Sequence, residues 1–148
     1  MTGTATLSKV LTIRENEKKV AQKAYHQSMG VFEEVAKELY LLLKKKEEAE
    51  QQYERFIQST APINQIKQLV DYLEVLTTEI LFVQQKVEVA RNDMEKKQVK
   101  LSDSYVEVKK FEKIIDIRKQ DERDELKRKE DAFMNEISMN QFLSHKNR

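Results

Sequence analysis

Residues 54–69, ERFIQSTAPINQIKQL, hold the only proline of the chain, Pro62. Proline has no N–H to place in a helix ladder and disfavours helical geometry at the residue before it, here Ala61. Ser59-Thr60-Ala61-Pro62 is therefore the one strong interruption in a sequence made almost entirely of helix formers. It predicts two helices joined by a tight turn at 59–61, the first from about residue 6 to 58 and the second from about residue 62 to 142. Pro62 would occupy the first helical position, where its missing N–H would have no intrahelical partner anyway, with Ala61 or Thr60 as the cap.

Outward from this break, the apolar residues follow a seven-residue period. Downstream the a positions are Ile66, Leu73, Ile80, Val87, Met94, Leu101, Val108 and Ile115, and the d positions are Leu69, Leu76, Val83, Ala90, Lys97, Ser104 and Phe111. Upstream the same reading gives Leu11, Lys18, Tyr25, Phe32, Leu39, Lys46 and Tyr53 at a. Leu7, Arg14, Ala21, Ser28, Val35, Leu42, Ala49 and Phe56 fall at d. The heptad phase slips at the proline, so an unbroken helix could not keep both seams on one face.

The fold expected is all-α: a long two-helix antiparallel coiled-coil hairpin with an unpaired C-terminal helical extension, forming one domain over 1–148. Folding about the turn opposes residues whose numbers sum to about 122, such as Phe32 with Ala90, Val35 with Val87, and Leu11 with Phe111. Lys46 falls beside Leu76, and Tyr25 beside Lys97, where a lysine stem can cover apolar surface while its ammonium reaches water. A parallel homodimer would stack Lys46 on Lys46 and Phe32 on Phe32, which packs worse, so the register favours a monomeric hairpin. Partners run out near Ile115, giving a rod of about 75 Å followed by the extension. Its segment 118–131 has no apolar seam, but Asp124 and Arg128, and Glu125 and Lys129, are four apart and support a helix locally. Phe133, Met134, Ile137 and Phe142 then return as a short uncovered stripe.

Composition removes most chemistries. With Gly3 and Gly30 as its only glycines, the chain cannot build phosphate loops or an all-β fold. It has no cysteine, and its two histidines, His26 and His145, lie near opposite ends, so no metal cluster is expected. A two-helix rod has no concave, dry interior for catalysis, so neither an enzyme nor a cofactor site is expected. The balance of 27 Lys+Arg against 26 Asp+Glu is interleaved along the chain, with no basic stripe for nucleic acid. No stretch has the length of a signal peptide core or a membrane span, which suggests a cytosolic protein without direct membrane insertion.

Function should therefore lie in surfaces. Tyr40, Leu41 and Leu43 fall at b, c and e of the first helix, while Val75, Phe82 and Val89 repeat at c and Leu81 at b of the second. In the hairpin register Tyr40 and Leu41 lie level with Leu81 and Phe82, making an exposed apolar girdle about 30 Å from the turn. Such a girdle suits a heterologous partner, self-association into a four-helix bundle, or no role at all. Lys45 with Glu79 and Glu38 with Lys86 are expected as interhelical pairs beside it.

Three segments, NEKKVAQKAY (16–25), EVKKFEKI (107–114) and DAFMNEISMNQF (131–142), in this order and spacing, resemble the Bacillus-type flagellar export protein FliJ. The resemblance covers nearly the whole chain. It implies a non-enzymatic component of the flagellar type III export apparatus, similar in shape to the central stalk of rotary ATPases. The end carrying both termini would engage the ring of the export ATPase FliI, and a surface nearer the hairpin tip would contact the membrane export-gate protein FlhA. Export chaperones are further partners, and the location implied is cytoplasmic, peripherally associated with the cell membrane at the flagellar base. By position, Tyr40, Leu41, Leu43, Val75, Leu81 and Phe82 are assigned to the gate contact. Arg123, Leu126, Lys127, Arg128, Phe133, Ile137 and Phe142 are assigned to the ATPase ring. A stiff rod with two different sticky ends could couple ring state to gate state. The rival reading is a self-associating structural coiled coil or a general cytosolic holdase.

Overall fold

The computed structural model describes residues 2–146 and contains two helices, α1 (Thr2–Gln58) and α2 (Ile63–Lys146), with no strand among the described residues. They pack against each other as a helical hairpin. At the turn the Ser59 amide donates to the Arg55 carbonyl (3.0 Å) and the Ala61 amide to the Ser59 carbonyl (2.9 Å). Pro62 lies one residue outside α2 instead of in its first position. Its carbonyl accepts from the Gln65 and Ile66 amides at 3.1 and 3.3 Å, so proline itself opens the hydrogen-bond ladder. No described residue has a positive φ, and the turn closes without glycine.

The seven-residue pattern is realised in full. Every a and d residue of both helices named above is buried or half-buried. The buried residues, including Ala21, Ala49, Leu76, Ile80, Val83, Val87, Val108 and Ile115, all belong to that set. Among the described residues no large side chain is wholly enclosed, as expected where two helices alone cover each other and every core residue keeps one flank near water. Ser28 takes a buried d position because its hydroxyl donates to the Tyr25 carbonyl one turn back, at 2.7 Å.

Contacts divide the hairpin into two units. Lys19–Ser102 form the one containing the turn; the other joins the start of α1, up to Lys18, to α2 from Asp103 onward. In the first, the Arg91 guanidinium lies 5.8 Å from the centre of the Phe32 ring, and half-buried Lys46 shares a concavity with Leu73 and Thr77 while pairing with Glu50 at 3.9 Å. In the second, Arg14 lies over Phe111 and Lys18 over Tyr105. The numbers of these opposed residues sum close to the expected value, which ties the register to particular contacts.

Three expectations change. α1 begins at Thr2, earlier than residue 6, and α2 runs to Lys146, past 142. Pairing does not stop at Ile115: the Thr4 hydroxyl donates to Glu122 Oε1 at 3.3 Å, and the Arg118 guanidinium comes up against Gly3. Polar and backbone contacts carry this segment, which a search for apolar partners does not register. The pairs Lys45–Glu79 and Glu38–Lys86 are not formed; ion pairs such as Lys46–Glu50, Lys97–Asp93 and Lys109–Glu112 instead lie within single helices, three or four residues apart. An exposed lysine reaches a neighbour on its own helix at less entropic cost than one across the seam.

Candidate partner-binding surfaces

The seam occupies a and d, so the remaining positions form two flanks in an antiparallel pair: c and g on one side, b and e on the other. Val75, Phe82 and Val89, at c of α2, are 54, 60 and 69% exposed. They share their flank with Val31 and Glu38, at g of α1. There a groove of about 780 Å³ is lined by Glu38, Leu42, Asp71, Glu74, Val75, Thr78, Glu79, Phe82, Val83 and Lys86. A second, of about 520 Å³, runs over Val31, Val35, Phe82, Gln85, Lys86, Val89, Ala90 and Asp93. Phe82 and Lys86 line both, so the two are one apolar trough along α2. The Lys86 ammonium lies 4.9 Å from the centre of the Phe82 ring, an intrahelical cation–π contact that takes the place of a pair with Glu38.

Of the residues assigned to a girdle, Val75 and Phe82 meet in this trough. Tyr40, Leu43 and Leu81, at b and e, belong to the opposite flank, and Leu41, although at c, does not line the trough. All of them are exposed. Val31 and Val89 were missing from that assignment. The heptad wheel contains the signal for both, since c and g are adjacent around a helix, but axial level alone obscures it.

Past the Thr4–Glu122 contact the extension is α2 alone. From Asp116 to Lys146 every residue is exposed except Ile137, which is half-buried. Leu126, Phe133 and Phe142 stand 59, 63 and 66% exposed, and Arg123, Lys127 and Arg128 are exposed cations around them. Arg123 and Leu126 line a shallow concavity with Lys119, Glu122, Glu125 and Lys129, where Glu125 and Lys129 pair at 3.7 Å. Asp124 does not join Arg128; it accepts from the Gln120 side-chain amide at 3.2 Å. Lys127, Arg128, Phe133, Ile137 and Phe142 lie outside that concavity. Among the described residues no group of three potential metal ligands occurs, and no helix is long and apolar enough to cross a membrane.

Both surfaces set exposed apolar side chains beside charged ones. Comparison with known proteins supplies a context for them. The family model described as Flagellar FliJ protein matches residues 4–147. The flagellar FliJ protein of Bacillus subtilis (strain 168) is 35% identical over 135 residues, covering 91% of this chain and 92% of that protein. No solved structure matches.

Proposed function

We propose a coupling role for this chain, which belongs to the flagellar FliJ protein family and is thus a component of the flagellar protein export apparatus. In this reading it is a non-enzymatic connector at the cytoplasmic face of the membrane. The terminal extension holds the ring of the export ATPase FliI through Leu126, Phe133, Ile137 and Phe142, with Arg123, Lys127 and Arg128 as flanking cations. The flank of Val75 and Phe82 meets the export gate FlhA, and Tyr40, Leu41, Leu43 and Leu81 offer a further contact on the way to chaperone and substrate delivery.

The observation that carries the reading is that each unit exposes large apolar residues the a/d seam does not use, Val75 and Phe82 beside a groove in one and Leu126, Phe133 and Phe142 on the extension in the other. Apolar surface left uncovered in this pattern marks interaction sites more often than chance exposure. α1 and α2 both run through the two units without a break, so each surface is carried on a continuous helix.

The test is a pull-down of the full chain with the export ATPase and with the cytoplasmic domain of the gate. Phe82→Glu should lose the gate and keep the ATPase, whereas Phe133→Glu with Phe142→Glu should do the reverse. Retention of both partners by both variants refutes the assignment. A concentration-dependent dimer or tetramer in sedimentation, with no affinity for either partner, would favour a self-assembling coiled coil instead.

A further inference from the structure

We infer that the Val75–Phe82–Val89 trough receives a cationic amphipathic helix. The inference deepens the proposal above and rests on its reading of this flank as a docking surface, while leaving open which protein supplies the helix.

The shape of the site comes from its period. Val75, Phe82 and Val89 repeat every seven residues, the period of the seam itself, and lie along about 21 Å of α2. A third helix with its own heptad stripe matches that spacing turn for turn, as in a three-stranded coiled coil. Val31 and Val35 of α1 form part of the opposite wall.

The sign of the occupant comes from the rim. Glu38, Asp71, Glu74 and Glu79 line the larger groove against the single cation Lys86, whose ammonium already faces the Phe82 ring. None of these four carboxylates takes part in an ion pair among the described residues. Asp93, at the far end, is already engaged by Lys97 at 3.5 Å and adds little. The whole chain carries a net charge of +1, so this rim is a local concentration of negative charge and no reflection of the average. Across an interface such a rim steers an oppositely charged segment and repels a like one.

The same rim argues against the other occupants. A second copy docking about a two-fold axis would set the patch against itself, carboxylates facing carboxylates. Anionic lipid headgroups and nucleic acid phosphates meet the same repulsion.

The experiment uses the full chain and a fluorescein-labelled peptide of about five helical turns, with Leu at a and d and Lys at e and g, read by anisotropy. A peptide of identical apolar pattern with Glu at e and g is the counter-probe. The cationic peptide should bind at least about tenfold more tightly than the acidic one. Phe82→Glu with Val89→Ser should weaken it about tenfold or more, and Glu38→Gln with Glu79→Gln should also weaken it and flatten its salt dependence. Val99→Glu, exposed and outside the trough, should leave it unchanged, and circular dichroism should find all variants folded. Equal affinity for both peptides, or a cationic peptide indifferent to the Phe82 and Val89 changes, overturns the inference, as does a sedimenting dimer abolished by Phe82→Glu. Selective peptide binding beside an unaltered gate pull-down in Phe82→Glu would remove the gate assignment and leave the cationic-helix site standing.

Discussion

The Arg14 guanidinium lies 5.7 Å from the centre of the Phe111 ring, placing a cation at a d position of α1 against a d aromatic of α2. Its Nε is buried without a hydrogen-bond partner, while its terminal nitrogen donates to Glu17 at 3.0 Å. One side chain thus fills a seat meant for an apolar residue, keeps its charged tip in reach of water, and leaves one donor unsatisfied.

Replacing Arg14 by Leu should therefore stabilise the fold. The ring contact and the exposed pair with Glu17 together hold about 1 kcal/mol, and the unsatisfied donor costs about 1–3 kcal/mol. A rise of about 1 kcal/mol in urea unfolding followed at 222 nm is expected; a fall would mean that the stacked cation outweighs its desolvation.

Leu76 is among the best covered residues of the seam, 3% exposed. Leu76→Ala should cost about 2 kcal/mol, the low end for such truncations, because a two-helix core can close over part of the gap. A loss below about 0.5 kcal/mol in the same urea experiment would contradict its core position.

Gly30 lies at an exposed f position, and a Cβ added there would meet nothing within 4 Å. Gly30→Ala should stabilise by about 1 kcal/mol through helix propensity alone. An Ala variant that melts lower would reveal a need for glycine that neither packing nor backbone conformation indicates.

Leu81 and Phe82 are neighbours in sequence on opposite flanks, 59 and 60% exposed. Substituting either by Glu should alter stability by no more than about 0.5 kcal/mol, since neither belongs to the seam. Binding at the trough should respond to the change at Phe82 and ignore the one at Leu81. Parallel titrations of the two variants with one partner distinguish a one-sided surface from a belt around the hairpin.

The extension past Glu122 has its backbone bonds but hardly any packing, so hydrogen exchange should separate it from the paired helices. Amides from about 124 onward should exchange well ahead of those around Ile80 and Val83. Equal protection in both regions would require a cover on the extension that this chain does not supply.

The seam and the hairpin were written in residue order: Pro62 interrupts, the seven-residue period continues on either side, and each a or d residue so identified is shielded. Period alone suffices there because one translation, repeated along a helix, places every member of the set on the same line. Polar members such as Lys46 and Ser28 were legible too, since the phase assigns a seat regardless of the chemistry that fills it. Folding alone settled three other matters: the contacts of Thr4 and Arg118 beyond Ile115, the stacking of Lys86 on Phe82 in preference to Glu38, and the trough that gathers Val31, Phe82 and Val89. Those depend on which rotamer a long side chain takes and on what faces it across the seam. The alternatives differ by a few tenths of a kcal/mol, too little for a linear pattern to encode and enough for three-dimensional packing to resolve.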